Sequence, residues 1–138
     1  MAPINYGDAL LQTLRAQLVT VPSLPAQRRW LNTTPEPDPD SAWVDDGFTN
    51  FDHEWAECGP AAMRRCEATY RVGVRVPMNT DAHAAMSLAA AIETSFAGMD
   101  RSVGSYPLEV TNTRAGPAMP DRSWLLVPVS VSVTFDHP

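Results

Sequence analysis

The stretch Ser123–Phe135, Ser-Trp-Leu-Leu-Val-Pro-Val-Ser-Val-Ser-Val-Thr-Phe, alternates apolar and small polar residues almost without a break. Leu125, Val127, Val129, Val131, Val133 and Phe135 fall on one face, and Leu126, Pro128, Ser130, Ser132 and Thr134 on the other. A period of two is the signature of a strand. Pro128 cannot donate to a ladder, so its backbone position must face solvent, a bulge or the outer edge of a sheet. A long strand with one greasy and one small-polar face implies a sheet packed on helices. Its polar face is then free to meet something else.

The chain is large enough for one domain with a single core: 138 residues, of which 44% are hydrophobic. A formal charge of −6 argues against broad phosphate binding, which needs clustered positive charge. All ten basic residues are Arg, the side chain suited to planar, bidentate contacts at protein interfaces. No apolar run approaches the ~20 residues of a membrane span, and the N-terminus lacks a basic-then-apolar signal pattern. The expectation is a soluble protein that folds in a cytoplasm and needs no membrane.

Leu10, Leu11, Leu14 and Leu18 recur at helical spacing and predict a helix over Ile4–Thr20, capped by Asn5 or Asp8 and stopped before Pro22 and Pro25. Gln27–Thr33 reads as a short strand. Thr34–Asp40, with its alternating prolines and acids, reads as a solvated loop at about 34–41. Ala42–Glu57 and Met63–Pro77 then predict an antiparallel hairpin about the turn residues Cys58–Ala62. Thr80–Ala97 is a second helix, capped at Thr80 or Asp81 and stopped at Gly98, with Ala85, Leu88, Ala89, Ile92 and Phe96 as its apolar stripe and alanines that permit close approach to a sheet. A polar loop over Asp100–Ser105 leads to a strand over Tyr106–Thr113, and a further loop leads to the closing strand. The fold class that follows is α+β: a single, mostly antiparallel sheet of four or five strands with two helices on one face. Val72, Val74, Leu88, Ile92, Phe96, Val129 and Val131 should be buried together.

Catalytic constellations are scarce. His53-Glu-Trp-Ala-Glu57 begins like a zinc-protease motif, but Glu57 stands where the second His must be and the segment does not read as a helix. In a strand register His53 shares a face with Phe51 and Trp55, the setting of a packed histidine, whereas Asp52 and Glu54 point the other way. Cys58 and Cys66 flank the hairpin turn and could lie nearly opposite each other, in disulfide-compatible geometry; a reducing cytoplasm favours two thiols. Ser87 and Ser95 lack a placed base, and no Gly-rich phosphate loop occurs. The expectation is no enzyme, no metal and no cofactor.

Surfaces for protein contact are better represented. Thr113–Arg122 holds two Arg, two Pro, one Gly and Met119 between two strands. It reads either as a stiff hairpin tip or as a rigid docking loop offering Arg114, Met119 and Arg122. Four Trp are more than one small core readily hides, which makes Trp30 and Trp43, on either side of the acidic loop, interface candidates. Asp45 and Asp46 read as part of a solvated face or as half of an ion-paired interface, with Arg28, Arg29, Arg64 or Arg65 of a neighbouring copy as candidates for the other half.

The order of these elements, with Tyr70-Arg-Val-Gly-Val-Arg-Val-Pro77 ahead of a helix and Gly116-Pro-Ala-Met-Pro-Asp-Arg-Ser-Trp124-Leu-Leu-Val-Pro-Val-Ser-Val131 closing the chain, resembles the tail terminator proteins of long-tailed bacteriophages. The resemblance covers most of the chain in element order and is specific in those two segments, while Pro35–Gly59 departs from the family's compact pattern. It implies a virion protein of the tail's neck region, assembled in the host cytoplasm. Such a protein forms a homo-hexameric ring on the head-proximal end of the tail tube, stops its polymerisation and presents a surface to the head connector. DNA would pass through the ring without specific binding. The alternatives are a neck protein that joins head to tail, or a dimeric α+β ligand-binding protein or enzyme.

Overall fold

A computed structural model describes residues 5–29, 41–55, 63–79 and 81–138, with the backbone alone at 27, 29 and 53–55. Helix α1 spans Tyr6–Leu18 and helix α2 spans Ala82–Ala97. The strands are β1 (Gln27–Arg29), β2 (Trp43–Trp55), β3 (Arg64–Pro77), β4 (Ser102–Val103), β5 (Tyr106–Pro107), β6 (Glu109–Ala115), β7 (Met119–Asp121) and β8 (Trp124–His137). The fold is α+β. β8, the strand announced by the C-terminal alternation, lies inside a sheet ordered β1-β2-β3-β8-β6, with β7 also paired to β8. Every pairing in that sheet is antiparallel except β1 on β2.

Both helices begin on side-chain caps. Asn5 Oδ1 accepts from the Asp8 N–H at 3.0 Å, and Asp81 Oδ1 accepts from the His83 N–H at 3.0 Å. α1 is shorter than the sequence pattern predicts because Val19 and Thr20 close the last turn instead of extending it. Leu10, Leu14 and Leu18 of α1 share one core with Leu88, Ile92 and Phe96 of α2, Tyr70, Val72 and Val74 of β3, and Val129, Val131 and Val133 of β8. Both helices therefore cover the same sheet face. The buried residues of α2 are Ala85, Leu88, Ala89, Ile92 and Phe96, the stripe expected from the sequence; of its other alanines, Ala84, Ala90, Ala91 and Ala97 are exposed.

The segment predicted as one strand over Tyr106–Thr113 is two. Ser102–Val103 and Tyr106–Pro107 form a separate small hairpin turned by Gly104 at φ 62°, and β6 joins the main sheet only from Glu109. Tyr106, Leu108 and Val110 keep one alternation throughout, but the pairing partner changes after Pro107, which has no N–H to offer. The period cannot reveal such a change. At the junction the Leu108 N–H donates to the Arg101 carbonyl at 3.0 Å.

Pro128 sits on a central strand and still obeys its constraint. Its carbonyl accepts from the Gly116 N–H at 2.8 Å, so its nitrogen faces the same side, where β6 has ended and β7 has not begun. A central strand accommodates the missing donor because its neighbour is broken there.

Candidate interface surfaces

Adjacent acids on β2 point to opposite faces of the sheet, as strand geometry requires. Asp46 points inward, its side chain wholly shielded from solvent. Arg15 of α1 reaches it with two donors, Nε to Oδ2 at 2.7 Å and Nη2 to Oδ1 at 3.0 Å, and the Tyr70 hydroxyl donates to Oδ2 at 2.6 Å. Burial, then the Asp46 charge, drives the Tyr70 phenol far above its ordinary range, and the hydrogen bonds that Arg15 donates to Asp46 raise its own pKa. This cluster ties α1 to β2 and β3.

Asp45 points outward and belongs to a second cluster. Arg75 of β3 lies between Asp45 (Nη1–Oδ2, 2.8 Å) and Asp121 of β7 (Nε–Oδ2, 2.9 Å), its guanidinium 4.6 Å above the Trp43 ring. Trp124 meets Trp43 edge-on, with centroids 5.7 Å apart. Gly73, directly opposite Asp45, makes room for this arrangement: a Cβ there would collide with the Asp45 carboxylate and the Arg75 guanidinium.

These clusters correct several sequence-based expectations. Trp43 is only 6% exposed, covered by Arg75 and Trp124 within its own chain, and is not a free interface anchor. Asp45 and Asp46 do not wait for a neighbour's arginines; Arg75 and Arg15 of the same chain hold them. Arg65 likewise pairs with Asp136, Nε to Oδ1 at 3.1 Å. Arg28 is exposed and its Nε donates to the Pro25 carbonyl at 3.2 Å. Trp30, the acidic loop Thr34–Asp40 and Cys58 lie outside the described residues, as does the Arg29 side chain.

Thr113–Arg122 is not a free loop. Thr113, Arg114 and Ala115 belong to β6, and Met119–Asp121 pair with Trp124–Leu126, leaving only residues 116–118 and the turn Arg122–Ser123 unpaired. The Ala115 N–H donates to Glu93 Oε2 of α2 at 2.7 Å. Arg122 takes a left-handed φ of 57° as the first residue of its two-residue turn, a position that costs a residue with a Cβ. It is exposed, as is Met119, whereas Arg114 stands some distance away on the polar sheet face. The structure thus separates Arg114 from Met119 and Arg122.

β2 continues through His53–Trp55, so the i, i+4 spacing that a helical zinc-protease motif needs does not exist there. Across the ladder from Cys66 stands His53, not Cys58. Cys66 is a buried thiol raised to about 11 by desolvation and by the charges of Asp52 and Glu67. Among the described residues no three metal-type side chains converge.

No protein-family model and no curated protein matches the chain. Solved structures do. One chain, whose only name is a sequence label, superimposes with a TM-score of 0.71 at 18% identity over 94% of each chain. Another, from the virion of a native gene transfer agent particle, superimposes with a TM-score of 0.63 at 14% identity, over 98% of this chain and 100% of its own. What is shared is the fold. At these identities the likeness shows nothing about particular side chains.

Sequence reasoning missed Arg15, Arg75, Asp121 and Glu93. A usable signal existed for Asp46, which keeps the parity of Val44 and Phe48 and so had to point inward and find a cation. Arg75 carried no such signal, because its two carboxylates come from strands at opposite ends of the sequence.

Proposed function

We propose that this chain is a structural protein of a virion and, within that class, a tail terminator: a homo-hexameric ring on the head-proximal end of a tail tube. The ring stops tube polymerisation and docks the head connector. What supports this reading is the likeness to a chain of a virion particle over 98% of this chain and 100% of that one, together with the element order that resembles the terminator family. In this reading the chain has no catalytic task and no cofactor. Its partners are its own copies, the tail tube protein and the connector, and DNA passes through the bore without specific contact. The acidic balance of the chain suits that passage, since like charge suppresses adhesion.

Ring closure needs a heterologous contact, in which one surface of a subunit meets a different surface of the next. The turn carrying Arg122, with Met119 beside it, is an exposed feature held from within: Asp121 is anchored by Arg75 and the strands on either side are paired. The test combines the purified chain with tail-tube protein of the same particle and images the product by electron microscopy. The expected result is a ring capping one tube end and an arrest of elongation, with Arg122→Glu reducing capping roughly tenfold or more. Tubes that elongate equally with and without the chain would sink the reading. Binding to a connector ring but not to tubes would replace it with the head–tail joining role.

A further inference from the structure

The polar face of the sheet carries charge in rows. Asp52 stands directly opposite Glu67, and Glu109 lies one strand further on, past Thr134. Two residues along the strands comes a neutral row of Asn50, Thr69, Ser132 and Asn112. Two residues further, Arg71 and Arg114 flank Ser130. All five charged residues are exposed, and none pairs with a described residue. Like charges placed directly opposite, such as Asp52 and Glu67, destabilise an isolated sheet. At about 3.3 Å per residue the acidic and Arg rows stand roughly 13 Å apart, beyond ion-pair reach within one chain.

We infer that this face binds the same face of a second copy about a two-fold axis running along the neutral row. Such an axis keeps the order of the strands and reverses their direction, so each acidic row comes over an Arg row. Glu67 then meets Arg71 of the second copy, and Glu109 meets its Arg114. The reciprocal pairs form at the same time, giving four ion pairs from two self-complementary strands. The short side chains of the neutral row sit at the axis, over a shallow hollow of about 260 Å³. Three rows across four strands cover only about 400 Å² per copy, well under a stable interface, so the pair is weak and sensitive to salt. The contact closes on itself with two copies and goes beyond the ring reading. It holds free subunits in pairs, whereas ring growth requires a different, heterologous surface.

The test is sedimentation of the full chain at about 50 mM and about 500 mM salt, which spans weak to strong screening. A concentration-dependent dimer at low salt that dissociates at high salt is expected. Glu67→Arg and Arg71→Glu should each raise the dissociation constant roughly tenfold or more. An equal mixture of the two variants should dimerise again, because each restores the other's complement, and the double variant should do the same alone. Glu109→Arg with Arg114→Glu repeats the test on β6 should the β3 variants misfold. A wild-type chain with no dimer at low salt, swaps without effect, or a mixture that stays monomeric would each overturn the inference. A ring that forms while the swaps have no effect would leave the terminator reading standing and remove this one.

Discussion

Arg71 and Arg75 stand four residues apart on one strand and one sheet face, yet they do opposite things. Arg75 is clasped by Asp45 and Asp121, lies on Trp43, and shares the space above Gly73 with the Asp45 carboxylate. Arg71 looks across at Gly47 and Ser130 and forms no ion pair with a described residue. Residue type and exposure parity are the same for both. Asp45, opposite Gly73, lies in the register between them, so what differs is that only Arg75 also has Asp121 and the Trp43 ring beside it. One end of the polar face is therefore finished within the monomer, and the charges in its middle are left unpaired among the described residues.

Predicted substitutions separate the closed clusters from the open face, in falling order of effect. Asp46→Ala leaves a half-buried Arg15 without its carboxylate beside an unpaired, buried Tyr70 hydroxyl and should cost about 3–5 kcal/mol in urea unfolding; a loss under about 1 kcal/mol would show that the cluster is not structural. Tyr70→Phe removes one donor and should cost about 1–3 kcal/mol at neutral pH. It should also change the alkaline limb. In the native chain Tyr70 stays protonated above its ordinary pKa of 10.0, whereas the unfolded chain ionises near that value. Tyr70's contribution to stability should therefore be full below about pH 10 and fall as pH rises beyond it, and Tyr70→Phe should flatten that fall. Chemical denaturation at stepped pH decides the point.

Gly73→Ala pushes a methyl into the Asp45–Arg75 pair and should cost about 1–2 kcal/mol by crowding. If thermal stability does not change, the clasp on Arg75 is looser than its geometry implies. Arg71→Glu should shift folding stability by no more than about 0.5 kcal/mol, because the side chain is exposed and unpaired. A larger loss in a melting experiment would mean that Arg71 is as structural as Arg75, and the contrast between them would fail.

The core was legible in the sequence because burial repeats along the chain. The alternation of Val127–Phe135 and the stripe Leu88, Ile92, Phe96 each contain their own evidence. The candidate surfaces were less legible because their partners are distant in sequence. Nothing local tells Asp45 that Arg75 is opposite the next row, or tells Arg75 that Asp121 will arrive on a hairpin beyond α2. The same blindness misjudged Thr113–Arg122: prolines and a glycine read as loop, while Met119–Asp121 pair because Arg122 and Ser123 turn the chain straight back onto itself. Trp43 was misjudged for a different reason. Its parity places it on the polar face, and only the side chains arching over it bury it there.

The bond from the Ala115 N–H to Glu93 bears on how such a subunit behaves before it meets anything. A strand at the margin of a sheet is a template, and each unused donor along it invites another chain to add itself and expose a fresh margin in turn. Here a carboxylate from the chain's own helix occupies the donor at the end of β6, and a bulge between Val110 and Asn112 disturbs the ladder behind it. On the proposed reading this matters for timing. A protein that ends the growth of a polymer must accumulate in the cell without seeding one, and a donor occupied from within gives a second chain one fewer place to add.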